Sequence, residues 1–263
     1  MKRAFVKNIS NYERFRTGIS AVETRGATEA SLMLLTAPAG FGKSRTVDHW
    51  AMQNNAACLR AKVDWTPRYF MAELAEALKL DSRGRAKELF GRIVGVLADQ
   101  QIPLVIDEVE HCLRHGADVL EAVRDLSDHT EVIVVLVGME QVQPRIARHA
   151  QISSRIAKVV ELGPATAEDV GEVCKQLAEV KIEASLVQEI HRQSTGRVRE
   201  VINAIATVEQ AARRNGKNKV TLQDMAGQVL THDWQARRPR RVSGRMGSGQ
   251  VVSGQMTSGK GEQ

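Results

Sequence analysis

The chain has 263 residues, 43% of them hydrophobic and only 4% aromatic, with three cysteines and a formal net charge of +6. That length holds one large α/β domain, or a medium domain beside a small one, on a mainly aliphatic core. No apolar stretch approaches the roughly 18 residues of a membrane span, and Met1–Lys7 has charge with no apolar run behind it, so it does not read as a secretory signal.

Cys58, Cys112 and Cys174 are too few and too scattered for a disulfide framework or a zinc pattern. They read as buried thiols in a reducing cytoplasm. His111, His115, His129 and His149 are equally scattered and suggest no metal site. The charge is unevenly spread. From Thr231 onward Arg237, Arg238, Arg240, Arg241, Arg245 and Lys260 face only Asp233 and Glu262, which leaves +2 for the first 230 residues. A basic tail suits an anionic partner such as nucleic acid, or simply keeps the chain solvated.

In chain order, residues 1–10 form a short basic arm. Residues 11–24 carry Tyr12, Phe15, Ile19 and Val22 at helical spacing. Ser31–Leu35 is an apolar strand, and a helix runs from Arg45 to Gln53. Ala57–Val63 is a second strand, and Asp64-Trp65-Thr66-Pro67 turns into a helix with Met71, Leu74, Ala75 and Leu78 in a stripe. Trp65 and Tyr69 suit the core of that turn and helix. A polar break at Asp81–Arg85 precedes a helix over residues 86–100. A buried strand with an unbroken apolar run follows at 103–107 and a fully apolar one at 132–137, with a helix over 118–126 between them.

A helix over 140–149 and a strand over 157–162 complete the body. Strands that alternate with helices, without period-two alternation of polarity, predict a parallel sheet covered on both faces. Beyond Gly163-Pro164 the pattern is purely helical, over 166–180, 184–193, 197–214 and 221–230, and Thr166–Asp169 is an N-terminal capping signature. The expected division is an arm and linker helix (1–26), a nucleotide-binding body (27–163), a helical lid (164–231) and a disordered basic tail rich in Gly and Ser (232–263).

The chemistry centres on Thr36-Ala37-Pro38-Ala39-Gly40-Phe41-Gly42-Lys43-Ser44. Strand, small-residue loop and helix start form the context of a phosphate-binding loop. The loop from Pro38 to Ser44 surrounds phosphate oxygens with backbone N–H groups, Pro38 itself having none to donate, Lys43 reaches the β- and γ-phosphates, and the Ser44 hydroxyl ligates Mg²⁺. Ala37 stands at the first glycine position, which is tolerable where the backbone needs no positive φ. The strand Leu104-Val105-Ile106 ends in Asp107-Glu108. Asp107 suits Mg²⁺, through water, and Glu108 suits activation of the attacking water. The pair points to ATP hydrolysis.

Phosphate loop, Asp-Glu strand end, a further strand and a helical lid together resemble an AAA+ ATPase over about residues 12–230. The resemblance implies a three-layer α/β/α P-loop NTPase fold with a small all-helical lid, and ATP and Mg²⁺ as ligands. Where the family places a polar sensor, this chain has Val137-Gly138-Met139-Glu140, with no Asn or Thr. The resemblance also implies an arginine supplied in trans. Ser153-Ser154-Arg155 makes Arg155 the first choice, with Arg148 and Arg145 as rivals. Gly196-Arg197-Val198-Arg199 resembles the second sensor, with Arg199 at the γ-phosphate and Arg197 as the alternative.

Lid organisation and motif order look most like the transposition ATPases, the phage Mu B protein and its relatives TnsC and TniB. That likeness implies ATP-dependent assembly on double-stranded DNA as a ring or filament, target marking and stimulation of a DDE transposase, in the cytoplasm and without a membrane. Lys79, Arg83, Arg85 and Lys87, with Arg92 beyond, are the body's candidates for sequence-neutral phosphate contacts. The alternatives are a helicase loader or replication initiator, a secretion-linked ATPase, and a nucleotide-binding scaffold that hydrolyses little.

Overall fold

Five short strands, rich in Val, Leu and Ile, run through the first 161 residues. β1 (Leu32–Thr36), β2 (Ala57–Arg60), β3 (Leu104–Asp107), β4 (Val134–Gly138) and β5 (Ile156–Glu161) pair in the order β2-β3-β4-β1-β5. Every pair is parallel. The computed structural model of the chain describes residues 1–114, 116–231 and 241–242.

Parallel neighbours need crossovers, and helices supply them. α1 (Ser10–Glu23) and α2 (Lys43–Gln53) cover one face, while α3 (Pro67–Ala77), α4 (Ala86–Gln100) and α5 (Asp118–Thr130) cover the other. Strand parity divides the core accordingly. Leu32, Leu34, Leu104, Ile106, Val134 and Leu136 pack toward the second group of helices, and Met33, Leu35, Val105, Val135 and Val137 toward the first. The unbroken apolar runs are therefore what a sheet buried on both faces requires.

Local chemistry sets the helix ends. Thr66 Oγ1 accepts the Tyr69 N–H at 3.2 Å and Pro67 opens α3. Trp65 is buried beside Phe70 and donates its indole N–H to Glu73, while Tyr69 is half-buried. The helix expected over 140–149 is instead two short pieces, α6 (Val142–Ile146) and α7 (Ala150–Ser153). His149, at φ −103° and ψ 86°, leaves helical geometry between them. β2 ends at Arg60 and is an edge strand with alternating burial, so Cys58 is exposed rather than buried, whereas Cys112 and Cys174 are buried.

After Gly163 the chain builds a second core. α8 (Ala167–Leu177), α9 (Ala184–Ser194) and α10 (Val198–Arg214) meet around Val170, Leu186, Ile190, Val201, Ile205 and Val208. Thr166 and Asp169 form the anticipated capping box, with bonds of 2.9 and 3.1 Å. This region is not purely helical. β6 (Lys181–Ile182) and β7 (Lys219–Val220) make a small parallel pair, and the helix expected over 221–230 is a single 3₁₀ turn, Gln223–Met225. There the Asp224 carboxylate takes the Thr221 N–H and hydroxyl, and Gly227 bends the chain at φ +78°. Within the basic tail, Arg241 pairs with Val229, and Val242 is buried in this second core. The rest of the tail, 232–240 and 243–263, and His115 lie outside the described residues.

The arm before α1 bridges the two cores. The Lys2 N–H donates to the Leu177 carbonyl at 2.8 Å, and Val6 is buried in the second core. Phe5 stacks on His49 of α2 with ring centroids 4.1 Å apart. Asn11, in the first turn of α1, exchanges two hydrogen bonds with the backbone of Gly163, at 2.8 and 3.1 Å. Among the described residues, no helix is long and apolar enough to cross a membrane.

Candidate nucleotide site

β1 delivers its last residue, Thr36, into the loop, and α2 starts at Lys43. Gly40 and Gly42 adopt φ of +88° and +90°. Ala37 is not in that region, so its methyl is accommodated, fully buried under the loop. Loop, strand ends and lid enclose a cavity of about 340 Å³. Every residue from Pro38 to Ser44 lines it, with Asp107, Glu108, Glu110, Gly138, Met139, Arg199 and Asn203.

Lys43 folds its ammonium back onto the loop, donating to the carbonyls of Ala37 and, at 3.2 Å, Pro38. Burial pushes its pKa below the usual lysine value, and Glu110, Asp107 and Glu140 oppose the shift in that order. The Ser44 hydroxyl donates to Asp107 Oδ2 at 2.8 Å. A hydroxyl and a carboxylate brought together from the start of α2 and the end of β3 are the oxygen donors that a small divalent cation takes alongside phosphate and water.

Glu108 sits at φ +56°, a left-handed conformation that costs a non-glycine residue about 1–2 kcal/mol. The turn it makes starts a 3₁₀ segment, Val109–Leu113. Its carboxylate faces Arg60 at 3.8 Å and His111 at 3.7 Å, while Arg60 also reaches Asp107 at 3.6 Å.

The lid closes the cavity through the start of α10. The Arg199 N–H donates to the Gly40 carbonyl at 3.1 Å, and Arg199 lines the cavity. Arg197 caps α10 and does not line it. Beside the loop lies a narrow apolar cleft of about 30 Å³. It runs between the arm (Phe5, Val6, Ile9), Phe41 and the lid (Val173, Leu177, Val198, Ile202).

None of Arg145, Arg148 and Arg155 lines this chain's cavity. Arg155 holds Asp128 of α5 in a two-pronged ion pair at 2.8 and 3.1 Å. Arg145 donates to the Leu113 carbonyl, and Arg148 is exposed. Lys79, Arg83, Arg85 and Lys87 are all exposed around the α3–α4 junction. Asp81 pairs with Arg83 at 3.0 Å and with Arg92 at 3.9 Å. Arg68 braces this loop by donating to the carbonyls of Ser82 and Gly84.

Three site residues escaped the sequence reading. Asn203 stands one helical turn beyond Arg199, so helix spacing could have flagged it. Glu110 is the third carboxylate of Asp107-Glu108-Val109-Glu110, a signal visible in the sequence. Arg60 reaches the site only because the register sets it opposite Asp107, which no local pattern reports.

Residues 25–146 match the family model described as an AAA domain. Among solved structures, the chain is similar to Cdc6p from Pyrobaculum aerophilum, at 17% identity and a TM-score of 0.61 over 85% of this chain and 68% of that one. It is also similar to the RuvB Holliday junction branch migration motor of Thermotoga maritima, at 18% and 0.53 over 83% and 68%. A third similarity is to the Aeropyrum pernix Orc1 protein in complex with DNA, at 18% and 0.51 over 80% and 61%. The chain thus spans about two thirds of the length of these structures. No curated protein matches it in sequence. Fold and site together define the class: an α/β P-loop NTPase fold, similar to those of Cdc6p and RuvB. The matched AAA segment contains the phosphate loop and the Asp-Glu strand end.

Proposed function

We propose that this chain is a Mg²⁺-dependent ATPase that assembles with itself on double-stranded DNA through sequence-neutral contacts. In its finer form, the proposal is that it marks target DNA for a DDE transposase. The observation that carries the hydrolytic part is the 2.8 Å bond between Ser44 and Asp107 at the mouth of a loop that Arg199 covers. The exposed bases at the α3–α4 junction support the DNA part, as does the similarity to a structure with bound DNA. The transposition part rests on motif order and lid organisation. We take residues 27–163 as the nucleotide-binding unit and 164–231 as its lid.

In this reading Ser44 and Asp107 hold Mg²⁺, which offsets charge on the phosphate oxygens when bound. Lys43 leaves the carbonyls of Ala37 and Pro38 for the β- and γ-phosphates. The loop N–H groups hold the phosphate chain. Glu108 swings from Arg60 and His111 to accept the proton of the attacking water. Arg199 contacts the γ-phosphate from the lid. Arg155 of one subunit gives up Asp128 to complete the neighbour's site. The base enters the cleft beside Phe5 and Ile9. At about 30 Å³ the cleft holds little more than one water, so the arm must move to admit it.

The test is sedimentation and imaging with long, nonspecific double-stranded DNA, with and without a slowly hydrolysed ATP analogue. Nucleotide-dependent rings or filaments are expected. No assembly in either condition refutes the target-marking reading and favours a loader or regulatory role. Arg155→Ala separates the trans arginine from the rest: wild-type assembly and hydrolysis in that variant would remove the assignment.

A further inference from the structure

The end of β4 is where the AAA+ resemblance expects a polar side chain, and Gly138 and Met139 supply none. The structure places a different group there. Glu110 lines the phosphate cavity, and its Oε2 is buried without a hydrogen-bond partner among the described residues. A Cβ built on Gly138 would stand 3.0 Å from that oxygen, so the absent side chain at 138 is what makes room for it. Of the carboxylates around Lys43, Glu110 acts on the ammonium most strongly. A buried acceptor left unpaired keeps the full cost of its lost hydration. It is retained where something else supplies the missing donor.

Resting on the ATPase reading above, we propose that Glu110 is the second acceptor for the attacking water, standing in for the missing residue of β4. A water aligned with the γ-phosphorus directs a lone pair at phosphorus and has two O–H bonds to place. Glu108 takes one and the Glu110 carboxylate, turned so that an oxygen leaves its buried place beside Gly138 for the cavity, takes the other. As the new P–O bond forms, the bond from phosphorus to the β-γ bridging oxygen breaks and ADP leaves with that electron pair. The proton on the Glu108 side passes to Glu108. The proton on the Glu110 side stays with the new phosphate oxygen. The left-handed turn at Glu108 brings both carboxylates to one cavity although only Val109 separates them.

The experiment compares wild type, E110Q, E110D and K43A in binding a fluorescent, slowly hydrolysed ATP analogue, in single-turnover hydrolysis with double-stranded DNA present, and in thermal unfolding. E110Q keeps volume and loses charge, so a packing role leaves it at wild-type turnover. The proposal expects the analogue to bind E110Q as tightly as wild type or up to about tenfold tighter, since a negative charge near the γ-phosphate is gone. Turnover should fall about 100-fold, the effect of a misoriented nucleophile. E110D, which keeps the charge, should recover part of it. E110Q turnover within twofold of wild type overturns the role of Glu110 alone. If wild type and K43A bind the analogue equally, the nucleotide reading itself fails. If wild type binds without turning over, both fail.

Discussion

Gly196 opens the lid helix that carries Arg199, and its replacement by alanine tests the joint between lid and body. Gly196 has φ +72°, and a Cβ there would lie 2.7 Å from the Ala165 carbonyl oxygen and from Pro164 Cβ, and 2.8 Å from the Ala165 nitrogen. Left-handed backbone costs alanine about 1–2 kcal/mol. Overpacking adds about 1–3 kcal/mol, and here the neighbours are backbone and a proline ring, which cannot rotate away. Gly196→Ala should therefore destabilise the lid by about 2–5 kcal/mol. Gly216→Ala is the matched control. It has φ +61° with no atom within 4 Å of a new Cβ, so it isolates the conformational part at about 1–2 kcal/mol. Urea unfolding of both variants measures the difference. Nucleotide affinity should fall in G196A and hold in G216A, because the Arg199 N–H reaches the Gly40 carbonyl only while residues 164–165 and 196 stay packed. Equal unfolding midpoints for the two variants would refute the steric argument.

Three further outcomes are expected. Cys58 is exposed, but desolvation and then Asp48 and Asp107 hold its thiol above the usual value, so it should react with a maleimide at pH 8 more slowly than a free thiol, while Cys112 and Cys174 stay silent. Burial pushes those two thiols up to about 12, so even at pH 9 only about 0.1% is thiolate, and mass spectrometry showing equal labelling would contradict their burial. The Asp224 carboxyl is lowered to about 2, first by Lys217 and then by Thr221. A depressed carboxylate stabilises above its unfolded value of 3.8 and loses that effect as pH falls toward 2, so the thermal midpoints of wild type and Asp224→Asn should differ at neutral pH and converge in that window. Asn11→Ala removes both hydrogen bonds to Gly163. It should cost about 1–3 kcal/mol and speed backbone hydrogen exchange around 163–166, and unchanged exchange there would show that Asn11 does not secure the hinge.

Much of the body was legible because its signals are local. The runs at 32–35, 104–106 and 134–137 are apolar at every position, as strands buried on both faces must be, and the loop from Pro38 to Ser44 is recognisable by its small residues before Lys-Ser. Ser44 and Asp107 could be paired in advance because one starts the helix after the β1 loop and the other ends β3, on the side of the sheet where loops converge. The failures share a cause too. Residues 221–230 have apolar positions that suit a helix. The carboxylate of Asp224 instead closes on Thr221, and a tertiary strand pair at Lys181 and Lys219 redirects the chain. Cys58 read as buried along with Cys112 and Cys174, but edge placement is a property of strand order. Arg60 depends on register. The partner of Arg155 within the chain, Asp128, lies 27 residues away and no spacing rule links them.

The contacts between the second core and the body give the proposed nucleotide binding a route beyond the loop. The lid touches the loop at the Gly40 carbonyl and through Val198, which lies 3.8 Å from a Cβ built on Gly42. Both contacts occupy the rim that phosphates approach. The other ties are of a different kind: Ser10 to Asp169, Asn11 to Gly163 and Lys2 to Leu177 all come from the arm and α1 and none lines the phosphate cavity. Burial raises the Asp169 carboxyl, yet the bonds from Ser10 and Thr166 outweigh it and leave the group below its usual value, so this tie is charged at neutral pH. A ligand shifts an equilibrium only by its differential affinity for two arrangements. The rim contacts are where such a difference could arise, while the arm contacts tie the two cores together away from the cavity. The proposed coupling of ATP to subunit assembly would run through the start of α10, and substitutions at Val198 should change nucleotide-dependent assembly more than substitutions at Ser10.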